Sequence, residues 1–294
     1  MEEVDPRWRK HFAAILGLCR TSLYRKPTKQ KYKDILMVSQ LKLAHSEHQF
    51  YGVFRLAIHL GWSQSKTRRI RNLASITILT PTKKHRTKRL LPEIEAPINA
   101  LQSYAKFRQK DKPQYGLSYL AMAESGGWVQ DFTYLFFEHS WHYLAVVLDL
   151  KTRQVVGWRL GTRHTSELTH AAVLDALSKY PAPTILHSDR GSEYLSLKHQ
   201  LLCEKMEITL SCSKPASPWQ NGFMERFFGT IKPEIGKLNQ YKNIAELHEA
   251  VALAIYYYNH KRIHTALRMS PAAYAATLKS KQFERDKVLQ KVGG

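Results

Sequence analysis

Three runs of aromatic, β-branched and other apolar residues follow one another almost without a break: Trp128–Phe137, Tyr143–Leu150 and Gln154–Leu160. Only residues 138–142 and 151–153 separate them. Gaps that short join antiparallel neighbours, because a parallel crossover needs a dozen or more residues. The pattern then changes. Ser166–Lys179 reads as a helix with Leu168, Ala172, Leu174 and Leu177 near one side, 183–187 as a fourth strand, Leu195–Met206 as a helix and 208–212 as a fifth strand. Helices over 220–237 and 244–260 follow, then a short one over 270–277 and a tail from Lys279 with little core-forming pattern. Three antiparallel strands followed by helix–strand alternation predict an α/β fold, a mixed five-stranded sheet with helices on its faces.

That order is the one expected of a ribonuclease-H-like domain, which we place at 126–240, with C-terminal helices and a tail over 241–294. The first 78 residues read as helical. Phe12–Arg25 gives an apolar helix, a break at Gly17 and a second start at Thr21 or Ser22. Gln49–Leu60 reads as a helix, Gly61-Trp62 as a turn and Ser63 as the cap of a basic helix, Ser65–Leu73. Residues 1–78 therefore hold two helix-turn-helix-like units. On the basic helix Lys66, Arg68 and Arg69 are candidate DNA contacts, and Ile70 and Leu73 can reach the core.

Charge supports a polyanionic partner. Lys and Arg number 45 against 24 Asp and Glu, a net +21, which favours nucleic acid or an anionic surface. Residues 1–97 carry 20 basic and 7 acidic side chains, a net +13. Within Pro81–Arg89 stand Lys83, Lys84, Arg86, Lys88 and Arg89, a self-repelling run suited to lie along phosphates. Residues 79–125 thus read as a basic linker and connector. No stretch approaches 18 consecutive apolar residues and MEEVDPRWRK is no secretory signal, so neither a membrane span nor export is expected. Cys19, Cys203 and Cys212 include no C-x-x-C pair, so a disulfide framework or cysteine-rich zinc site is not expected and a reducing cytosol fits.

Three carboxylates stand out in so basic a chain. Asp131 lies inside the first strand, Asp189 directly follows the fourth in His187-Ser-Asp-Arg-Gly-Ser-Glu-Tyr194, and Glu225 lies on the helix after Ser217-Pro-Trp-Gln-Asn221. Functional groups emerge at strand ends in such sheets. At 100° per residue Phe223, Met224, Phe227, Phe228 and Ile231 form one face of that helix. Asn221, Glu225, Gly229 and Lys232 form a stripe about 115° away. Glu225 then sits at the edge of the buried face and projects toward Asp131 and Asp189. Hard oxygen ligands without cysteine suit Mg2+ or Mn2+, and two such ions serve phosphodiester attack. Asp149 reads as structural, beside Lys151. Glu193 reads as a group supporting the metal ligands or as an exposed residue.

These segments resemble the OrfB-type transposases of insertion sequences, within the retroviral-integrase-like DDE superfamily. Trp128-Val-Gln-Asp-Phe-Thr-Tyr134 is similar to the family's first-aspartate strand, and His187–Tyr194 to its second-aspartate segment. Ser217–Lys232 is similar to its glutamate helix, and Tyr258–Leu267 with Ser270-Pro271 to its closing segment. Thirty-five residues separate Asp189 from Glu225, the spacing of this group. The resemblance implies a polynucleotidyl transferase that cuts a strand at the element end and directs the freed 3′-hydroxyl at another phosphodiester. It implies two Mg2+ or Mn2+ ions, bridged by Asp131 and completed by Asp189 and Glu225. Lys232 would hold the DNA backbone or terminal bases, and Asn221 would orient Glu225 or touch DNA. The implied partners are double-stranded DNA, as terminal inverted repeats and target, and a second copy at least, on the nucleoid of a bacterial cytoplasm. The alternatives are a ribonuclease-H-like nuclease that never joins and a domesticated, non-catalytic DNA-binding protein.

Overall fold

A computed structural model describes residues 28–77, 97–101, 106–107, 117–118, 126–214 and 221–292. The helix-turn-helix expected over 12–25 and the basic run Lys83–Arg89 lie outside the described residues. The chain divides into two compact units, Met1–Thr80 and Pro81–Gly294.

The described part of the first unit holds three helices, α1 (Thr28–Glu47), α2 (Val53–Leu60) and α3 (Gln64–Leu73). The helix expected from Gln49 starts only at Val53, because the extended Gly52 caps it and Tyr51 closes a turn onto the His48 carbonyl. Gly61 ends α2 with φ of 64°, a conformation that costs glycine little. Ser63 starts α3 by accepting from the Lys66 N–H at 3.2 Å. Leu41, Ala44, Tyr51, Leu56, Ala57, Thr67 and Ile70 are buried. Leu73 is not in the core as expected but 58% exposed. It lies about 120° round the axis from Thr67, off the stripe that Thr67 and Ile70 bury.

In the second unit the sheet is β1 (Gly127–Phe137), β2 (Ser140–Asp149), β3 (Val155–Gly161), β4 (Ile185–Ser188) and β5 (Thr209–Cys212), in spatial order β3-β2-β1-β4-β5. The first three are antiparallel, β4 runs parallel to β1, and β5 parallel to β4. A two-residue turn joins β1 to β2, with φ of 46° at Glu138 and 59° at His139. Such mirror-image turns match the strand twist, so β2 begins at Ser140, inside the expected gap. A further short ladder pairs Lys106–Phe107 with Leu117–Ser118.

Both faces of the sheet are covered. Trp128, Phe132, Ala145, Val147 and Leu186 share one cluster with Ala172, Val173 and Ala176 of α4 (Ser166–Leu177) and Cys203 of α5 (Leu197–Lys205). Val129, Leu135, Val146 and Leu148, one residue out of phase, share the other cluster with Met224, Phe227 and Ile231 of α6 (Gly222–Ile235) and Leu247, Val251 and Ile255 of α7 (Ile244–His260). Strands buried on both faces read as nearly continuous apolar runs. The mixed five-stranded sheet with this connectivity between helical layers is the ribonuclease-H-like architecture. The edge strand β3 is closed by Asn259 of α7, whose amide donates to and accepts from the Val155 backbone at 2.9 Å each. The terminal helix, α8, runs Pro271–Val292 instead of ending near 277. Lys, Gln, Glu, Arg and Leu are good helix formers and extend it, and residues 279–284 are exposed. No helix among the described residues is long and apolar enough to cross a membrane.

Two positions give direct tests of this packing. A Cβ on Gly157 would lie 2.7 Å from the Ala176 backbone nitrogen and closer still to the Ala172 carbonyl. Gly157→Ala is expected to cost about 1–3 kcal/mol in urea unfolding, because backbone cannot swing away as a side-chain end can. An unchanged midpoint would show that α4 is not seated on β3. The second position is His199, fully buried and 2.8 Å from the Gln130 amide. Burial, with a smaller push from His170, lowers its pKa to about 4. The unfolded chain, with a histidine pKa of about 6.5, binds a proton over this window that the folded chain refuses. The stabilisation is therefore complete above that value and lost as pH falls toward 4, by roughly 3 kcal/mol. His199→Gln is expected to flatten this loss, and urea titrations at both ends of the window would read it. Equal pH dependence in both proteins would contradict a neutral buried His199.

Candidate active site

β1 is long and β4 short, and that mismatch builds the site. In the parallel register Val129 pairs with His187. Two residues further along each strand stand Asp131 and Asp189, the latter just past the end of β4 at Ser188. Residues at matching steps of neighbouring strands face the same side, so the two aspartates emerge together where β4 stops. Asp131 shares the α6 face with Val129 and Leu135. Its Oδ1 accepts from the Phe132 N–H at 2.8 Å. Asp189 is fixed by its own turn, Oδ1 accepting from the Gly191 N–H at 3.0 Å. Behind it the buried His187 ring reaches Ser211 at 2.8 Å and Ser213 at 3.1 Å, and Arg190 donates to the Ser213 carbonyl. These bonds hold the end of β4 against β5.

α6 crosses this face on its apolar side, with Met224, Phe227 and Ile231 all at or below 2% exposure. Arg153, from the β2–β3 turn, stacks on Phe223 with its guanidinium 4.0 Å from the ring centre. Two polar ties align the helix with β1. At its start the buried Asn221 amide lies 3.4 Å from Asp131 Oδ2. Near its end Lys232 Nζ donates to the Tyr134 carbonyl at 3.1 Å. Glu225 is four residues from Asn221, on the same stripe and between the two ties, and it is exposed. Asn221 thus meets Asp131, whereas it was expected to orient Glu225 or touch DNA. Lys232 meets β1 three residues past Asp131.

Glu193 sits beneath this group and is the residue whose place the sequence left open. It is 8% exposed, pairs with His164 at 3.3 Å and accepts from Ser192 at 3.4 Å. His164 packs on Phe132 and stacks on Tyr143, which closes an aromatic wall with Tyr134 and Tyr194. Burial first, then Asp131, Asp189 and Glu193, push the Tyr194 hydroxyl well above its ordinary range. Burial and the same three carboxylates, with Tyr143, raise Tyr134. Each of these tyrosines therefore stays neutral beside concentrated negative charge. No pattern of spacing would have signalled the His164–Glu193 pair, which joins two loops. Asp149 is structural, as expected: its Oδ1 accepts from the Lys151 and Thr152 N–H groups at 2.6 and 3.0 Å.

The donor set suits a hard cation. Asp131, Asp189 and Glu225 offer carboxylate oxygens only. Beside them Asn221 Oδ1 is buried with no hydrogen-bond partner among the described residues, an acceptor left for a hydrated ion's water. The three carboxylates are not a group whose ligand atoms all approach within 4.8 Å of one another. Ligands of separate ions about 3.5–4 Å apart need not close on a single point.

The candidate DNA contacts of the first unit are placed differently. Lys66 lies 4.5 Å over the Trp62 ring, and Arg69 is held by both Asp34 oxygens at 2.7 and 2.8 Å. Arg69 thus ties α3 to α1 while its side chain stays 45% exposed. Arg68 is exposed.

Several known proteins are similar to this chain in sequence. Two models described as integrase core domain match residues 122–218 and 206–271. The transposase for insertion sequence element IS904 of Lactococcus lactis is 28% identical over 259 residues, 83% of this chain and 95% of the relative. Transposase InsF for insertion sequence IS3A of Escherichia coli is 38% identical over 109 residues, 36% of this chain and 38% of that one. A structure of the HTLV-2 integrase catalytic core domain in complex with magnesium aligns with TM-score 0.44 and 24% identity over 51% of this chain and 95% of the other. Matches to the integrase core domain over 122–218 and 206–271, and a transposase aligned over nearly its whole length, make this chain similar to the insertion-sequence transposases built on an integrase core domain.

Proposed function

We propose that the chain is a DNA transposase that cuts a strand at the end of its insertion sequence with water and then directs the freed 3′-hydroxyl at a second phosphodiester. The observation that carries this reading is the emergence of Asp131 and Asp189 from adjacent parallel strands under a helix that bears Glu225. Asp131 would be shared between two Mg2+ or Mn2+ ions, with Asp189 and Glu225 each completing one. When bound, such ions lower the pKa of the attacking water or hydroxyl and stabilise the leaving oxygen.

The chain's own residues supply position. Asn221 holds the Asp131 carboxylate toward α6. Lys232 fixes α6 along β1, and its positive charge stands where a phosphate would approach. The aromatic wall of Phe132, Tyr143 and Tyr194 and the buried Glu193–His164 pair keep the floor rigid. The net +21 supplies affinity for double-stranded DNA at element ends and target. Joining two ends calls for at least two copies acting on cytoplasmic, nucleoid DNA.

The test is incubation of the full chain and Mg2+ with duplex DNA carrying the element ends that flank its coding sequence. Both 3′-end cleavage and joined products are expected. Cleavage without joined products would leave a nuclease, and binding without cleavage in either Mg2+ or Mn2+ would leave a non-catalytic DNA-binding protein.

A further inference from the structure

The first unit contains a cluster that DNA cleavage does not use. Glu47 ends α1, His48 directly follows it, and His59 lies in the last turn of α2. Their ligand atoms, two imidazole nitrogens and a carboxylate oxygen, all lie within 4.8 Å of one another. We propose that Glu47, His48 and His59 form a binding site for a transition-metal dication of the Zn2+ class, one that clamps the end of α1 to the end of α2.

Three observations carry this. The donor set is selective. Two imidazoles and one carboxylate suit Zn2+ and its first-row neighbours, and they do not suit Mg2+ or Ca2+, which take oxygen ligands. The site is also half-built. His48 is 7% exposed and its ring lies flat on Tyr51, 4.3 Å between centres and 10° between planes. The His59 ring meets it edge-on at 4.7 Å. Glu47 and His59 are exposed, so the ion has an entry path and water can complete its coordination. Tetrahedral ligands at about 2.0–2.1 Å from the ion lie about 3.3 Å from one another, so modest side-chain rotation closes the group.

The third observation is the size of what the ion would hold. The described helices span 28–73, and their buried apolar residues are Leu41, Ala44, Tyr51, Leu56, Ala57 and Ile70. So small a core gains most from a metal staple. The clamp joins α1 to α2, and Gly61 and Ser63 then launch α3, which carries Lys66, Arg68 and Arg71. The ion would therefore fix the presentation of the basic helix.

The experiment is equilibrium dialysis of the chelator-stripped full chain against Zn2+, followed by a melt with and without the metal. Wild type should retain about one equivalent, with a raised melting midpoint that a chelator reverses. His59→Gln and Glu47→Gln alter exposed residues and should fold, yet each should weaken Zn2+ at least about tenfold, the least that loss of a supporting group costs. Asp131→Asn should bind as wild type does, so this site and the acidic one fail separately. Co2+ in place of Zn2+ should give visible bands in wild type that vanish in His59→Gln. Zn2+ stoichiometry unchanged in both Glu47 and His59 variants, or retention lost in Asp131→Asn instead, would overturn the proposal.

Discussion

Asp131→Asn is expected to lower both 3′-end cleavage and strand joining by more than about 100-fold, the upper cost of losing a group that merely supports a metal ligand. DNA affinity should change by no more than about 0.5 kcal/mol, as for substitutions away from the contacts that matter. The split follows from where charge resides. On the proposed reading affinity would rest on 45 basic residues spread over the chain, whereas a hard dication would rest on three carboxylates, and an amide keeps the shape without the charge. Asp189→Asn and Glu225→Gln should behave alike. Lys232→Ala should differ, because its Nζ ties α6 to the Tyr134 carbonyl and its loss loosens the helix without removing a ligand; joining should fall in part. Cleavage and joining assays beside binding isotherms read all four. Wild-type cleavage by Asp131→Asn in Mg2+ would remove Asp131 from the site. Glu193, buried against His164, would be the next residue to examine, since Asp149 is engaged in its own turn.

Phe227→Ala should carry a large stability cost, about 3–5 kcal/mol for truncating a buried Phe. Phe227 is 2% exposed and packs edge-on against Phe228 and Tyr258, which bonds α6 to α7. It also stands two residues from Glu225, so a loosened α6 displaces the carboxylate even in molecules that remain folded. Urea unfolding gives the first quantity and cleavage at a temperature below the melt gives the second. Phe227→Leu, which keeps an apolar side chain there, should cost less and retain more cleavage. A loss below about 1 kcal/mol for the alanine variant would mean that the cavity collapses at little cost and that this face does not hold α6.

The order of strands and helices was legible because burial on both faces writes long apolar runs, and short gaps leave antiparallel pairing as the sole option. Strand and helix limits within 126–260 shift by only a few residues between expectation and structure. The two aspartates were legible as residues at a strand centre and a strand end, and Glu225 by its place at the edge of an apolar helix face. What was not legible depends on partners distant in sequence. Arg69 reads as a DNA contact, and its pairing with Asp34, 35 residues away, is a tie that no spacing shows. Lys232 reads as a holder of the DNA backbone or terminal bases, and its bond to the Tyr134 carbonyl is a tie that no spacing shows. Glu193 and His164 come together only because the turn after Asp189 folds back on the aromatic wall. The long α8 was missed for the opposite reason: good helix formers extend it past the core pattern, and a search for core patterns passes over such a segment.

The most direct measurement is anomalous scattering from Mn2+ bound to crystals of the full chain with element-end DNA. Two peaks about 3.5–4 Å apart are expected, one touching Asp131 and Asp189 and the other Asp131 and Glu225. Crystals of a DNA-bound complex with Mn2+ density away from Asp131, or with its carboxylate turned from both ions, would contradict the assignment of these three residues to one reacting centre.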